Sequence, residues 1–192
     1  MRLCHRRSCN PHERATELPL PPAITPWSST PIMPSPAAFL RYAAAGFTLG
    51  RAQLTRAGRA MTAEIQALQA AMPARYEALA LPDFLAWLTP QRADWAGRSE
   101  EAVRELVDAL ALLDHSSPFG LCLRRSLLRY HFLRRVGLPV GIVFAMRKRQ
   151  THEPSGLAGH AWNILDGEPY HEREENMRGF TEVYRWPPET WQ

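Results

Sequence analysis

The feature that most constrains the fold is a change in hydrophobic period near residue 137. Residues 121–136 place apolar side chains at helical spacing, and Gly137 and Pro139 then end that helix. The chain beyond them is rich in β-branched and aromatic residues, which is typical of strands. One helix followed by an antiparallel meander is therefore the predicted core, over residues 114–192, of an α+β protein. The predicted strands are Val140–Met146, Ala158–Leu165, Glu168–Glu172 and Gly179–Trp186.

A region rich in Ala, Leu, Arg and Glu precedes this core, and we predict that residues 36–113 are helical. Pro73, Pro82 and Pro90 are expected to interrupt the region, because proline lacks the N–H donor that a helix interior needs. Ser99 is the expected N-cap of its last helix. We interpret the region as a scaffold packed on the core. The predicted helices are 37–58, 60–72, 82–88 and 100–113.

The first 35 residues form a proline-rich segment, which we expect to be an extended or disordered tail. Its Cys4, Cys9 and His12 offer too few ligands for a convincing metal site, so an unstructured extension is the favoured interpretation. Together with Cys122 the chain has three cysteines, an odd and sparse set that argues against a disulfide framework. No apolar stretch reaches the roughly 18 residues of a membrane span. A reduced, cytoplasmic setting is therefore expected.

The charge of the chain is mildly basic, with a formal net charge of +4 and a pI of about 9.3. Arginine supplies nearly all of the excess, and guanidinium groups pair with carboxylates as well as with phosphates. Basic and aromatic residues interleave too sparsely for a nucleic-acid surface, and there is no Gly-rich phosphate loop. We therefore expect no cofactor and no nucleic acid. The arginines of the predicted helix are either a solvated face or a surface that attracts an acidic peptide.

Cys122 lies in the first turn of the predicted helix, directly after a loop that contains Gly120. Free N–H groups and the positive end of a helix stabilise a thiolate there. The same N–H groups can hold an oxyanion that forms on a substrate carbonyl. A single cysteine, considered without a partner, is more often a small buried apolar residue than a nucleophile, and this is the alternative interpretation of Cys122.

His160 changes this balance, because it stands in the segment Gly159-His160-Ala161-Trp162 at the start of a predicted strand. A histidine on a strand that faces a cysteine on a helix is the arrangement of papain-like and transglutaminase-like enzymes. The histidine takes the thiol proton and later protonates the leaving amine. Cys122 as nucleophile and His160 as base is therefore the favoured hypothesis.

Two acids are candidates for the third role, Asp166 and Glu172. Asp166-Gly167 is a turn signal, which places Asp166 at a hairpin tip, roughly 20 Å from His160 at about 3.3 Å per residue. With a three-residue loop over 165–167, Glu172 pairs with His160 on one face of the sheet. With a two-residue turn, Glu172 points to the other face and its assignment weakens. Glu172 is favoured over Asp166, and a solvated strand carboxylate is its alternative interpretation.

Several of these segments together resemble a known enzyme family. The run Cys122-Leu123-Arg124-Arg125-Ser126 and the later Gly159-His160-Ala161-Trp162 and Asp166-Gly167-Glu168-Pro169 are similar to the transglutaminase-like leader peptidases of lasso-peptide biosynthesis. The resemblance covers roughly residues 115–186. It implies a papain-related core with a catalytic cysteine, histidine and acid, which correspond to Cys122, His160 and Glu172. Several members carry an aspartate where this chain has Glu172.

The resemblance also implies a function and partners. It implies a cysteine peptidase that removes the leader from a ribosomally made precursor peptide, with a cyclase then closing the core peptide into a lactam. It further implies a separate leader-recognition protein, because residues 37–113 lack the strands of a winged-helix recognition domain. Two alternatives stay open: an amidase or acyltransferase with another substrate, and a non-catalytic peptide-binding module.

Overall fold

The computed structural model describes residues 35–149 and 156–188 of the chain. The expected tail with Cys4, Cys9 and His12 lies outside the described residues, and so does most of the loop that follows the first strand. No helix in the described ranges is both long enough and apolar enough to cross a membrane.

Within residues 35–149, five helices precede the sheet, and three of them begin at a capping side chain. The hydroxyls of Ser35, Thr55 and Ser99 accept hydrogen bonds from first-turn N–H groups, as N-caps do. The predicted helix 37–58 ends earlier than expected, because a second helix begins after Thr55. The helices are α1 Pro36–Gln53, α2 Arg56–Ala78, α3 Leu81–Leu88, α4 Glu100–Leu113 and α5 Leu121–Val136.

The predicted end of a helix at residue 72 is wrong, because α2 continues through Pro73. A proline inside a helix costs about 3 kcal/mol, because it lacks an N–H donor and crowds the preceding turn. Ile65 and Met72 of the same helix are fully buried. The free energy gained by burying this apolar face of α2 therefore outweighs the cost of Pro73 inside the helix.

In the part of the chain that the structure describes, the sheet has four strands in the order β3-β2-β1-β4, and all their pairs are antiparallel. The predicted meander is wrong, because the last strand pairs with β1 and not with β3. Strand β3 also ends at Pro169, well before the predicted Glu172. A short helix, α6, follows it. The elements are β1 Gly141–Lys148, β2 Leu157–Leu165, β3 Glu168–Pro169, α6 Glu174–Met177 and β4 Thr181–Trp186.

The two faces of the sheet are covered by different parts of the chain. One face joins a large core with α2, α3, α4 and α5, so the helical region and the sheet share their buried apolar residues. On the other face, Val143, Trp162 and Ile164 pack against Met177 and Phe180. These last two residues belong to the segment that carries the chain from β3 across to β4. The predicted α+β class, with a helical N-terminal region, is confirmed.

Candidate active site

Cys122 lies in the first turn of α5, as the sequence predicts. The helix begins after Gly120, which has no side chain, and no side chain among the described residues caps its N-terminus. The first N–H groups of an α-helix lack partners within the helix. The half-buried Cys122 therefore stands beside unused main-chain donors at the positive end of a helix.

The loop before Cys122 is held from both ends by buried or half-buried polar groups. The guanidinium of Arg124, which is only 6% exposed, donates to the carbonyl of Ala111 at 2.8 Å and to that of Phe119 at 3.3 Å. At the start of the loop, Asp114 Oδ1 accepts from the main-chain N–H of Ser116. These bonds fix the path of the chain into α5, and with it the position of Cys122. Sequence reasoning missed this role of Arg124.

His160 lies on β2, and two buried hydrogen bonds tie this strand to α5. Ser126 Oγ donates to the carbonyl of Ala161 at 2.9 Å, and Asn163 Nδ2 donates to the carbonyl of Ser126 at 3.0 Å. Ser126 is one helical turn after Cys122 and on the same side of α5. Ala161 is the residue after His160. The bonds therefore hold the start of α5 against the part of β2 that carries the histidine.

Cys122 and His160 line the same cavity, which has a volume of about 430 Å³. Tyr76 of α2 and Leu81 of α3 contribute to its wall, so the helical region is part of the site and not only a scaffold. Sequence reasoning did not identify these two residues, which carry no motif. Cys122 Sγ makes no hydrogen bond to a described residue. Catalytic hydrogen bonds are often long in an unliganded enzyme and shorten when substrate binds.

The imidazole of His160 is held between aromatic rings. Its centre lies 5.6 Å from that of Trp162 and 5.3 Å from that of Phe180. Burial lowers the pKa of His160 below 6.5, the Glu172 charge opposes this shift, and the Arg125 charge adds to it. The buried Nε2 atom has no hydrogen-bond partner among the described residues. His160 is therefore neutral near pH 7, as a general base needs to be.

Glu172 reaches the neighbourhood of His160 by a route that the sequence did not predict. The hairpin turn has two residues, Asp166 and Gly167, with φ of 51° and 84°, so Leu165 pairs with Glu168. Of the two turn lengths that the sequence left open, the structure has the shorter one. Strand alternation does not extend to Glu172, because β3 ends at Pro169 and His171 has a φ of 48°.

The carboxylate of Glu172 is almost fully buried and is surrounded by donors. Its side chain is 2% exposed, and Oε2 accepts from Arg125 Nη2 at 2.7 Å. Oε1 accepts from Asn176 Nδ2 at 2.6 Å and from the main-chain N–H of Arg173 at 3.2 Å. Burial opposes ionisation, but these donors and the charges of Arg125 and His160 hold the pKa of Glu172 below its ordinary value. Glu172 is therefore an anion, and its charge acts on the pKa of His160.

The other candidate acid, Asp166, lies where the sequence predicts it, at the tip of the hairpin. It is exposed, and the turn separates it from the cavity that holds Cys122 and His160. Within the described residues, no group of three or more His, Cys, Asp or Glu side chains is arranged to hold a metal ion.

A helix that presents a cysteine in its first turn, beside a strand that presents a histidine, defines a class of thiol-dependent proteins. The sequence profile of the Transglutaminase-like superfamily matches residues 68–185, which is more than half of the chain. The chain therefore belongs to the transglutaminase-like superfamily, whose members typically use a catalytic cysteine. No curated protein and no solved structure gives a significant match.

Proposed function

We propose that the protein is a cysteine peptidase in which Cys122 is the nucleophile, His160 the base and Glu172 the group that positions the imidazole. The observation that carries this proposal is that Cys122 and His160 line one cavity. Two buried hydrogen bonds between α5 and β2 support it, because they keep the two elements in fixed register beside that cavity.

The chemistry follows from the positions of these groups. The imidazole takes the thiol proton, the sulfur bonds to the peptide carbonyl carbon, and the carbonyl oxygen becomes an oxyanion. First-turn N–H groups of α5, including that of Cys122, bind the oxyanion. The C–N bond then breaks, and the imidazolium gives its proton to the leaving amine. Water attacks the resulting thioester with His160 as base, which releases the carboxylic acid and restores the thiol.

Glu172 contributes through its charge. An anion near the imidazole stabilises the imidazolium that forms during each step, while Arg125 limits this effect by its own positive charge. The low pKa of Glu172 keeps it ionised throughout the neutral range. Glu172 is therefore a positioning residue, which acts on the substrate through His160.

The proposed substrate is a ribosomally made precursor peptide, from which the enzyme removes the leader segment in lasso-peptide maturation. The resemblance of the segments around Cys122, His160 and Asp166 to lasso-peptide leader peptidases supports this assignment. The proposed partners are the precursor peptide, a separate leader-recognition protein and a cyclase that closes the lactam ring. A cytoplasmic location goes with this role.

Cleavage of a candidate precursor peptide, followed by mass spectrometry, tests the proposal. The precursor is incubated with its leader-recognition protein and either wild type, Cys122→Ala or His160→Ala. We expect no cleavage by Cys122→Ala and a loss of about 10²-fold or more by His160→Ala, because general-base catalysis contributes about 10²–10⁴-fold. His115→Ala is the matched control, since His115 is exposed and outside the cavity.

Full cleavage by Cys122→Ala would exclude thiol catalysis. A product in which an added amine replaces water would instead identify an acyltransferase, because both activities share the thioester and differ in the group that releases it. Unchanged precursor with every protein, but binding of the precursor, would identify a non-catalytic peptide-binding module.

A further inference from the structure

The cavity at Cys122 has an apolar wall that the catalytic groups do not explain. Its remaining lining comes mainly from aliphatic and aromatic residues on α2, α5, β1 and β4, among them Leu123, Phe144 and Tyr184. None of the described residues that line it is Asp, Glu, Lys or Arg. A charged group placed there loses its hydration without gaining a partner, which costs free energy. The wall therefore selects against charged side chains.

Exposed apolar side chains surround the same cavity. Tyr76, Met146 and Val183 line it, and they are 44%, 43% and 52% exposed. A patch of exposed large apolar residues around a concave surface is typical of a ligand-binding site. Tyr76 is also held in place, because its ring packs edge-on against Phe119 with centres 5.3 Å apart. Tyr76, Met146 and Val183 therefore form an exposed apolar rim around the cavity, which a ligand can cover.

Small residues leave room next to the nucleophile. A Cβ atom built on Gly120 or on Gly159 meets no heavy atom within 4 Å. Both glycines line the cavity, one directly before α5 and the other directly before His160. The volume of about 430 Å³ exceeds that of one side chain and suits one or two residues of a peptide.

We propose that this cavity binds a bulky apolar side chain, such as leucine or phenylalanine, from the two residues that precede the attacked carbonyl. The acyl segment stays bonded to Cys122 after the amine has left, so a pocket that shares a wall with the sulfur retains this segment during the thioester stage. The inference rests on the proposed function, since it assigns the substrate class of the same site.

Two irreversible thiol probes test the inference. They are dipeptidyl fluoromethyl ketones with either Leu-Leu or Asn-Asn, residues of nearly equal size that differ in polarity. In both, the thiolate forms a C–S bond as the C–F bond breaks and fluoride leaves. Labelling of Cys122 is followed by peptide mass mapping and divided by the rate with iodoacetamide. We expect the Leu-Leu probe to react at least about tenfold faster, which corresponds to about 1.4 kcal/mol.

Substitutions in the cavity remove this preference. Gly159→Ile adds a side chain to one of the residues that line the cavity and so fills part of its volume. A β-branched residue suits this strand position. Val183→Lys places a charge at the edge of the cavity, and we expect the protein to fold because Val183 is 52% exposed. We expect both variants to bring the two probes within about threefold of each other. Gly50→Ile is the matched control, because Gly50 is exposed on α1, outside the cavity and with nothing within 4 Å of an added Cβ.

The outcomes separate the two proposals. Equal rates for both probes in wild type, with iodoacetamide labelling that still depends on His160, overturn the apolar-pocket inference and leave the peptidase proposal standing. A preference for Leu-Leu that persists in Val183→Lys also overturns the inference, even where Gly159→Ile does not fold. Iodoacetamide labelling of Cys122 that does not depend on His160 overturns the peptidase proposal, and the inference with it.

Discussion

The nucleophile and the acid of the proposed site are held by different kinds of structure. The helix–sheet junction, formed by Ser126, Ala161 and Asn163, is buried and joins residues 35 and 37 positions apart through its hydrogen bonds. The acid segment, residues 170–180, holds the buried Glu172 carboxylate mainly through Arg173 and Asn176, which are exposed and lie one and four positions away. Its long-range tie to the helices includes the ion pair of Glu172 with Arg125.

The two regions therefore have different roles, one in positioning Cys122 and His160 and the other in the electrostatics of His160. The junction sets the positions of Cys122 and His160 through buried hydrogen bonds, so we expect its loss to affect the whole fold. The acid segment sets the electrostatics of His160 through a few charged contacts that can change without unfolding the protein. Substitutions in the junction are therefore expected to act on stability, and those in the acid segment on titration.

The largest effect is expected from Asn163→Ala in the junction. Asn163 is 1% exposed, and its Nδ2 donates to the carbonyls of Ser126 and Gly141 at 3.0 and 3.2 Å. The substitution leaves both carbonyls without this donor, so we expect the free energy of unfolding to fall by about 3 kcal/mol. Urea denaturation measures it. A loss below about 1 kcal/mol would show that the junction does not hold α5 to the sheet.

A smaller loss, about 2 kcal/mol, is expected from Arg125→Met. The variant leaves the buried Glu172 carboxylate without its cation, although partial exposure of Arg125 screens the pair. Arg135→Met is the matched control, because its partners Glu64 and Asp94 are exposed and such pairs contribute less than about 1 kcal/mol. Denaturation of both variants at pH 7 measures the difference. Equal losses would mean that burial of Glu172 adds nothing to the pair.

Glu172→Gln is expected to change the pH dependence of stability. The pKa of Glu172 is lowered in the folded protein, so its charge stabilises the fold above the ordinary value of 4.5 and this contribution is lost as the pH falls below it. Wild type should exceed the variant by about 1 kcal/mol at pH 7, and the gap should close in acid. Urea denaturation between pH 7 and pH 3 measures the gap.

The same substitution gives a second readout. Because the Glu172 charge raises the pKa of His160, its removal should lower that pKa further below 6.5. NMR titration of the imidazole measures this shift. A stability gap that stays constant with pH would show that the pKa of Glu172 is not lowered by folding. An unchanged His160 titration would show that the charge of Glu172 does not act on the imidazole.

The smallest effect is expected from Asn176→Ala in the acid segment. Asn176 is exposed, and its hydrogen bond to Glu172 Oε1 spans four residues. We expect a loss of about 0.5 kcal/mol in the free energy of unfolding, together with a rise in the pKa of Glu172, because this bond is a main cause of its low value. Denaturation and carboxyl NMR titration measure the two changes. A loss as large as that of Asn163→Ala would remove the distinction between the two regions.

Local elements of the fold could be predicted from the sequence. Helix α5 begins at Leu121 and ends at Val136, as predicted, because Gly120 and Gly137 flank a continuous helical pattern. Strand β2 also contains His160 as predicted. In both cases the signal lies within a few residues of the feature, so no distant contact is needed to produce it.

The site could be predicted only in part, because some of its geometry depends on distant contacts. The sequence left a two-residue turn and a three-residue loop open, and only the three-residue loop pairs Glu172 with His160. The structure has the two-residue turn, and β3 ends at Pro169, so this pairing does not form. Glu172 instead approaches His160 after β3 has ended, through a contact with Arg125 that is 47 positions away. Tyr76 and Leu81 had no motif that connects them to Cys122. Their roles appear only when α2 and α3 pack beside α5.

The sequence by itself determined the elements that carry Cys122 and His160, since helix starts, helix ends and strand patterns arise from neighbouring residues. Only the tertiary structure decided that β4 pairs with β1, that Glu172 pairs with Arg125 and that helical residues contribute to the cavity wall. The physical reason is the different sequence separation over which these interactions act. Propensity and capping act over a few residues, whereas strand order and buried ion pairs depend on groups that come together only when the whole core is packed.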